Sequence, residues 1–283
     1  MKKIQDVIFP ISILFVSQVV GVRPAFATLA ITQQLNDDDH DQLKVEAKNG
    51  NPQAMYQYGK LKMGAERDEW ISKSAESGYG PALLEVANKP RVHTQSQSKT
   101  DKQKNYKEFS DKLRTAHQAL LNEARSGDLE STFMLGSADE LFGLHGITQK
   151  GECIPWLRKA ADLGHPKAPF ELAAYLQKRN TSAEQAESIE WYKRSVEVGE
   201  TRSRVIATVA LVKAYSYGIS FIGLRSDAGE ALRWAQKGAS LEGTSIEDYL
   251  MVNGLQDPRK IRPELKDRSV QSAPPPTIYW SQP

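Results

Sequence analysis

"WLRKAADLGHPKAPFELAAYL", Trp156–Leu176, is the stretch whose reading decides the fold. Trp156, Ala160 and Leu163 stand at i, i+4 and i+7, one face of an α-helix, while Arg158 and Lys159 point off that face into water. Gly164 supplies the left-handed residue that ends such a helix. Pro166 then opens the next helix, where its missing N–H costs nothing, and Ala168 and Leu172 share a face of it. The segment reads as the second helix of one hairpin, a glycine stop, and the first helix of the next.

The same frame recurs along the chain, as a repeat requires. "WISKSAESG" begins at Trp70, "WYKRSVEVG" at Trp191 and "WAQKGASLEG" at Trp234. A basic residue follows three positions after each tryptophan: Lys73, Lys159, Arg194 and Lys237. Gly78, Gly164 and Gly199 close their segments after eight residues and Gly243 after nine; "ALLNEARSG", Ala119–Gly127, keeps the frame without tryptophan. Behind the glycines a second pattern runs small, any, bulky apolar, any, apolar, small. It starts at Ala54, Ala82, Ser131, Ala168 and Ala207. Prolines at 52, 81 and 166 open first helices, and Asp227 with Glu230 and Thr181 with Glu184 provide capping starts for tryptophan helices. One hairpin cannot bury its apolar stripe alone, so neighbours must stack. The small residues let helix axes approach to roughly 8–10 Å. This spacing makes the tryptophans core residues rather than a ligand-stacking set.

"AYSYGISFIGLRSDAGEALRWAQKGASLEG" resembles the Sel-one-like repeat family of the tetratricopeptide superfamily. Its pattern is roughly A-x-x-x-L-G-x-x-Y-x-x-G-x-G-V-x-x-D-x-x-x-A-x-x-W-x-x-K-A-A-x-x-G. Tyr215, Gly218, Gly223, Leu224, Asp227, Ala231, Trp234 and Lys237 match it, and residues 156–173 match its second half and next start. The resemblance covers about residues 42–243, with a long insert in the second copy and altered spacing after Gly199. It implies an all-α fold, a right-handed α–α superhelix or solenoid of about five to six hairpins, assigned to residues 28–256.

Residues 1–27 read as a cleaved secretory signal. Lys2 and Lys3 precede an apolar run from Val7 to Val22, and Ala25-Phe26-Ala27 provides an A-x-A cleavage site. No later segment is apolar enough to cross a membrane, and the expected location is the periplasm. The whole chain carries a formal charge of +2; removing Lys2, Lys3, Arg23 and Asp6 with the signal leaves 34 basic against 34 acidic residues. A neutral chain has no net field to gather nucleic acid or anionic lipid. The lone Cys153 excludes an internal disulfide framework. "NDDDHD", Asn36–Asp41, reads as an acidic helix start. The polar, basic stretch 91–105 reads as a flexible insert loop, and 257–283 as a Pro-rich extended tail that caps the last hairpin or captures a partner.

Catalytic and metal chemistry find no support. His40, His93, His117, His145 and His165 show no metal-ligand spacing. Cys153 occupies the place of Ser188 and Ala231 in other copies, a small packing position. Ser96-x-x-Lys99 fits S-x-x-K only in form, within the polar insert. Some cysteine-rich relatives of the repeat family are linked to β-lactam chemistry, but their paired cysteines are missing. A cell-wall or β-lactam hydrolase is therefore disfavoured, and neither a cofactor nor a metal is expected.

The expected function is binding of one protein partner. Exported members of the resembled family include immunity proteins that neutralise toxins, lipases or cell-wall enzymes, delivered by type VI secretion. The resemblance thus implies an immunity protein with a cognate toxin as partner; the alternative is an envelope assembly or regulatory scaffold. Candidate partner-binding residues are apolar side chains that the repeat does not require. They are Phe142, Leu144 and His145 in one loop, Ile219, Phe221 and Ile222 in another, and Tyr279 and Trp280 in the tail.

Overall fold

Every glycine-closed segment folds as the second helix of a hairpin. The computed structural model describes residues 37–89, 99–149 and 151–261, and among these it contains thirteen α-helices and no named strand. The signal at 1–27, the start of the insert and the tail from 262 lie outside the described residues. Helix α1 (Asp37–Lys48) leads into five hairpins. These are α2 (Pro52–Lys60) with α3 (Gly64–Glu76), α4 (Gly80–Ala87) with α5 (Lys99–Arg125), and α6 (Leu129–Ser137) with α8 (Cys153–Asp162). Then come α9 (Ala168–Gln177) with α10 (Ser182–Val198), and α11 (Thr201–Tyr217) with α12 (Ala228–Glu242). A short α7 (Asp139–Leu144) interrupts the third hairpin, and α13 (Ile246–Val252) follows the fifth. Apart from the short α7, each helix packs on the next in sequence, most extensively within a hairpin, so the molecule is an all-α solenoid.

The small positions of the repeat do the work expected of them. Ala82, Ala168 and Ala207 are fully buried, and a side chain on Gly136 would place its Cβ 2.5 Å from Leu157 Cγ. Only glycine lets α6 and α8 lie that close. Leu113 and Leu120 of α5 fill the second hairpin with Leu135 and Phe142 of the third, while Leu157, Leu172 and Leu176 join the third to the fourth. Each such side chain stabilises the stack by about 1.5–3 kcal/mol. The predicted caps form: Asp227 accepts from the Glu230 N–H at 3.0 Å and Thr181 from the Glu184 N–H at 3.2 Å.

Several sequence expectations need correction. Residues 99–105 of the insert are not loop but the first turns of α5, a 27-residue helix. Its period escapes notice because most of those turns face water; the apolar stripe of Leu113, Ala116, Leu120 and Ala124 begins later. Helix α9 starts at Ala168 with Pro169 in its first turn, so Pro166 belongs to the turn before it. The closing glycines at 50, 78, 127 and 164 have φ of +91°, +87°, +92° and +89°, as a left-handed stop requires. Gly199 instead is extended, at φ −73° and ψ 167°. Residues 257–261 are not free tail: Asp257 caps a 3-10 turn over Pro258–Lys260, and Pro258 and Ile261 are buried.

The basic residues three positions after the tryptophans stay partly in water, but each also leans over its own tryptophan. Lys73, Lys159, Arg194 and Lys237 sit over the rings of Trp70, Trp156, Trp191 and Trp234 at 4.9, 5.5, 4.9 and 5.7 Å. In the last three hairpins each reaches the second helix of the preceding one. Lys159 Nζ donates to the Ala124 carbonyl (2.9 Å), Arg194 to the Ala161 carbonyl (3.2 Å) and Asp162 (3.1 Å), and Lys237 pairs with Glu197. These acceptors lie in the last turn of α5, α8 and α10, where a cation meets the negative end of the helix dipole. The tryptophans themselves are half-buried, each a lid on the hairpin edge beneath its own cation. Arg158 likewise folds back, donating to Glu187 at 2.7 Å.

Candidate binding face

The residue after each closing glycine occupies the same place in every unit: Asn51, Tyr79, Asp128, His165, Glu200 and Thr244. Two residues further on stand Gln53, Pro81, Glu130 and Lys167. Gln53, Tyr79, Asp128, Glu130, His165, Lys167 and Glu200 meet across units to form a polar seam at the starts of the first helices. Asp128 Oδ1 caps α6 through the Ser131 N–H (2.7 Å), while its Oδ2 accepts from Gln53 Nε2 (2.9 Å); the Tyr79 hydroxyl donates to it at 3.3 Å. Glu123, near the end of α5, accepts from the Gly80 N–H (2.9 Å) and the Ser131 hydroxyl (2.6 Å). Lys167 lies 3.6 Å from Glu200 and carries the seam to the start of α11.

His165 is the centre of the seam. Its ring stacks on Phe133 at 3.9 Å and 13°, and its Nδ1 accepts from the Lys167 N–H at 3.3 Å. The proton therefore sits on Nε2, which donates to Glu130 Oε2 at 3.3 Å. Burial pushes the Asp128 and Glu123 carboxyls above the usual range, against the pull of their hydrogen bonds. Burial also acts to raise Glu130, but the His165 bond and the charges of Lys60 and Lys167 outweigh it and its pKa falls. With these acceptors taken up by neighbouring units, the seam ties hairpins together.

The seam ends where Thr201 follows Glu200, and there the face opens. A groove of about 870 Å³ lies between the first half of α11, the end of α12 and α13. Val205, Ile206, Leu241 and Val252 line it with Arg202 on one side and Asp248 on the other. Val252 and its neighbour Met251 are 75% and 71% exposed. Thr244, in the register of His165, lies on the groove wall and fills nothing. Ile206 stands immediately before the small position, where the other copies carry Gln53, Pro81, Glu130 and Lys167. Three of those four residues are polar, so the apolar Ile206 stands out from Gln53, Glu130 and Lys167 once the copies are aligned.

The sequence-predicted residues are divided by the structure. Phe142 is fully buried in the core between the second and third hairpins, with the His117 ring edge-on at 4.8 Å, so it is a packing residue. Ile219 is buried beside Leu224, its backbone bridge partner, and is core as well. Leu144 and Phe221 are exposed, at 73% and 55%. His145 stacks on Tyr106 at 4.9 Å, and Ile222 is half-buried. The two loops belong to different hairpins and pack on different cores, so they do not make one surface. Tyr279 and Trp280 lie outside the described residues.

Cys153 is fully buried among Phe133, Leu157 and Leu172, and burial pushes its thiol up to about 12. It is the small packing residue that its place in the repeat predicts. Among the described residues no group of three or more histidine, cysteine or carboxylate side chains could hold a metal ion, and no helix is long and apolar enough to cross a membrane.

The class this architecture defines is the helical-hairpin solenoid. No family model matches the chain, and no curated protein matches it. Among solved structures, it is similar to a Sel1 repeat protein from Oxalobacter formigenes, at 17% identity and a TM-score of 0.44, over 72% of this chain and 84% of that one. It is also similar to a protective antigen of uropathogenic Escherichia coli strains displaying an SLR fold, at 20% identity and a TM-score of 0.43. That match covers 79% of this chain but only 46% of the antigen, so the chain spans about half of that protein's length.

Proposed function

We propose that the protein is a non-enzymatic binding solenoid that takes a partner segment in the groove between α11 and α13. The open groove is the observation that carries this reading: the face is closed by paired side chains along the seam and left apolar and accessible at its end. Its lining suits a segment with an apolar anchor. A partner in that position removes Val252 from water, and burying it stabilises the complex by about 1.5–3 kcal/mol. Val252→Glu places a charge at the groove and costs at least tenfold in partner affinity; unchanged affinity in this variant sinks the reading.

Within this function we propose an exported immunity protein whose partner is a toxin acting in the periplasm. The signal-like residues 1–27, the neutral remainder and the repeat resemblance support it. Cells expressing the protein with the toxin encoded beside it survive, and cells expressing Val252→Glu do not. Survival with neither, alongside retained capture of an envelope protein, identifies an envelope scaffold instead.

A further inference from the structure

We infer that the chain's own C-terminal segment, Ile278-Tyr279-Trp280, occupies the groove when no partner is bound. The inference rests on the reading of the groove as a binding site and adds what fills it at rest. Three observations point to this occupant. The described chain stops beside the groove: Pro258 and Ile261 are buried, the turn between them packs on α12, and Arg259 lies 3.6 Å from Glu247, the neighbour of groove residue Asp248. Beyond Ile261, residues 271–283 carry no charge, and their three large apolar side chains are consecutive. The groove offers matching apolar walls from Val205, Ile206, Leu241 and Val252.

Reach and concentration allow it. Sixteen residues separate Ile261 from Ile278, a tether of at most about 55 Å when extended. A tether of this length can hold its end at an effective concentration of about a millimolar, so even a millimolar intrinsic affinity fills the groove about half the time.

The test uses the full chain with Cys153→Ala, which places the residue found at Ala231 in the same register, and Val252→Cys as the single thiol. Maleimide labelling of residue 252 is expected to be at least about twofold slower, the half-occupancy case, than in the same chain carrying Tyr279→Ser and Trp280→Ser. The protection holds across a tenfold range of protein concentration. Equal labelling rates with and without the tail substitutions overturn the inference, and so does protection that grows with concentration, which would assign the groove to a second copy's tail. Amide exchange of α13 in the chain with native Val252 gives an independent reading: the two tail substitutions accelerate it, and unchanged exchange overturns the inference. Partner binding is scored separately. Tail protection without any partner leaves this inference standing and removes the partner reading, whereas partner binding at an unprotected groove does the reverse.

Discussion

The interval between the third and fourth units and the interval after the fifth are built on one register and end differently. In the first, Glu130 and His165 meet over Phe133 and fill the space. In the second, Ile206 stands at the position of Glu130 and Thr244 at that of His165, and the space is a groove. A repeat fixes where two side chains will face each other; whether they close the gap depends on what those two positions hold. The filled intervals hold the stack together, and the proposed recognition uses an interval that is left open.

Substitutions separate the two. The largest effect is expected for His165→Ala, which removes a fully buried ring and leaves Glu130 without its donor. Urea unfolding should show a loss of about 2–4 kcal/mol, whereas Thr244→Ala in the matching place should change stability by less than about 0.5 kcal/mol. Equal losses would mean that the two intervals are alike. Gly136→Ala comes next. Its Cβ meets Leu157 at 2.5 Å, and overpacking of this kind costs about 1–3 kcal/mol, read as a lower urea midpoint.

The basic ladder gives a third comparison, between the two ends of the chain. Arg194→Ala removes bonds to the preceding unit and a cation above Trp191, and with nearly half of that side chain in solvent the expected loss is about 0.5–1 kcal/mol. Lys73→Ala should lose less, because its ion pair is to Glu69 of its own helix rather than to the unit before it. Matching losses in thermal scans would show that the inter-unit bonds contribute nothing.

The smallest effect is a pH dependence. Burial pushes the Glu171 carboxyl up, with Lys167 and Lys178 pulling it back and Glu200 adding to the rise. A raised folded pKa means that the unfolded chain ionises first, so this group lowers stability as pH climbs through its titration. Glu171→Gln is therefore expected to raise the melting temperature slightly at pH 7. The gain should vanish in acid, below the ordinary glutamate value of 4.5, and a gain independent of pH would contradict the assignment.

Most of the fold was legible because the repeat writes helix, stop and cap at fixed intervals. Gly164, Asp227 and Thr181 act as their positions foretold. The start of α5 was not legible, since a helix whose early turns face water has no apolar period to display. The destination of the basic residues was hidden for another reason: Lys159 and Arg194 bond to carbonyls of a neighbouring unit, and carbonyls have no sequence signature. The candidate groove was the least legible feature. The irregular loops between paired helices stand out in the sequence, yet Phe142 and Ile219 there are core. The groove lies at the opposite ends of the first helices, where short regular turns look merely structural. In the aligned copies it is marked by Ile206, where three of the other four carry Gln53, Glu130 and Lys167.

Capture of a partner by three versions of the full chain tests the central claim most directly: unaltered, Val252→Glu in the groove, and Leu144→Glu on the exposed loop of the third hairpin. The protein captured by the unaltered chain is expected to be lost with Val252→Glu and kept with Leu144→Glu. Loss with Leu144→Glu and retention with Val252→Glu would contradict it.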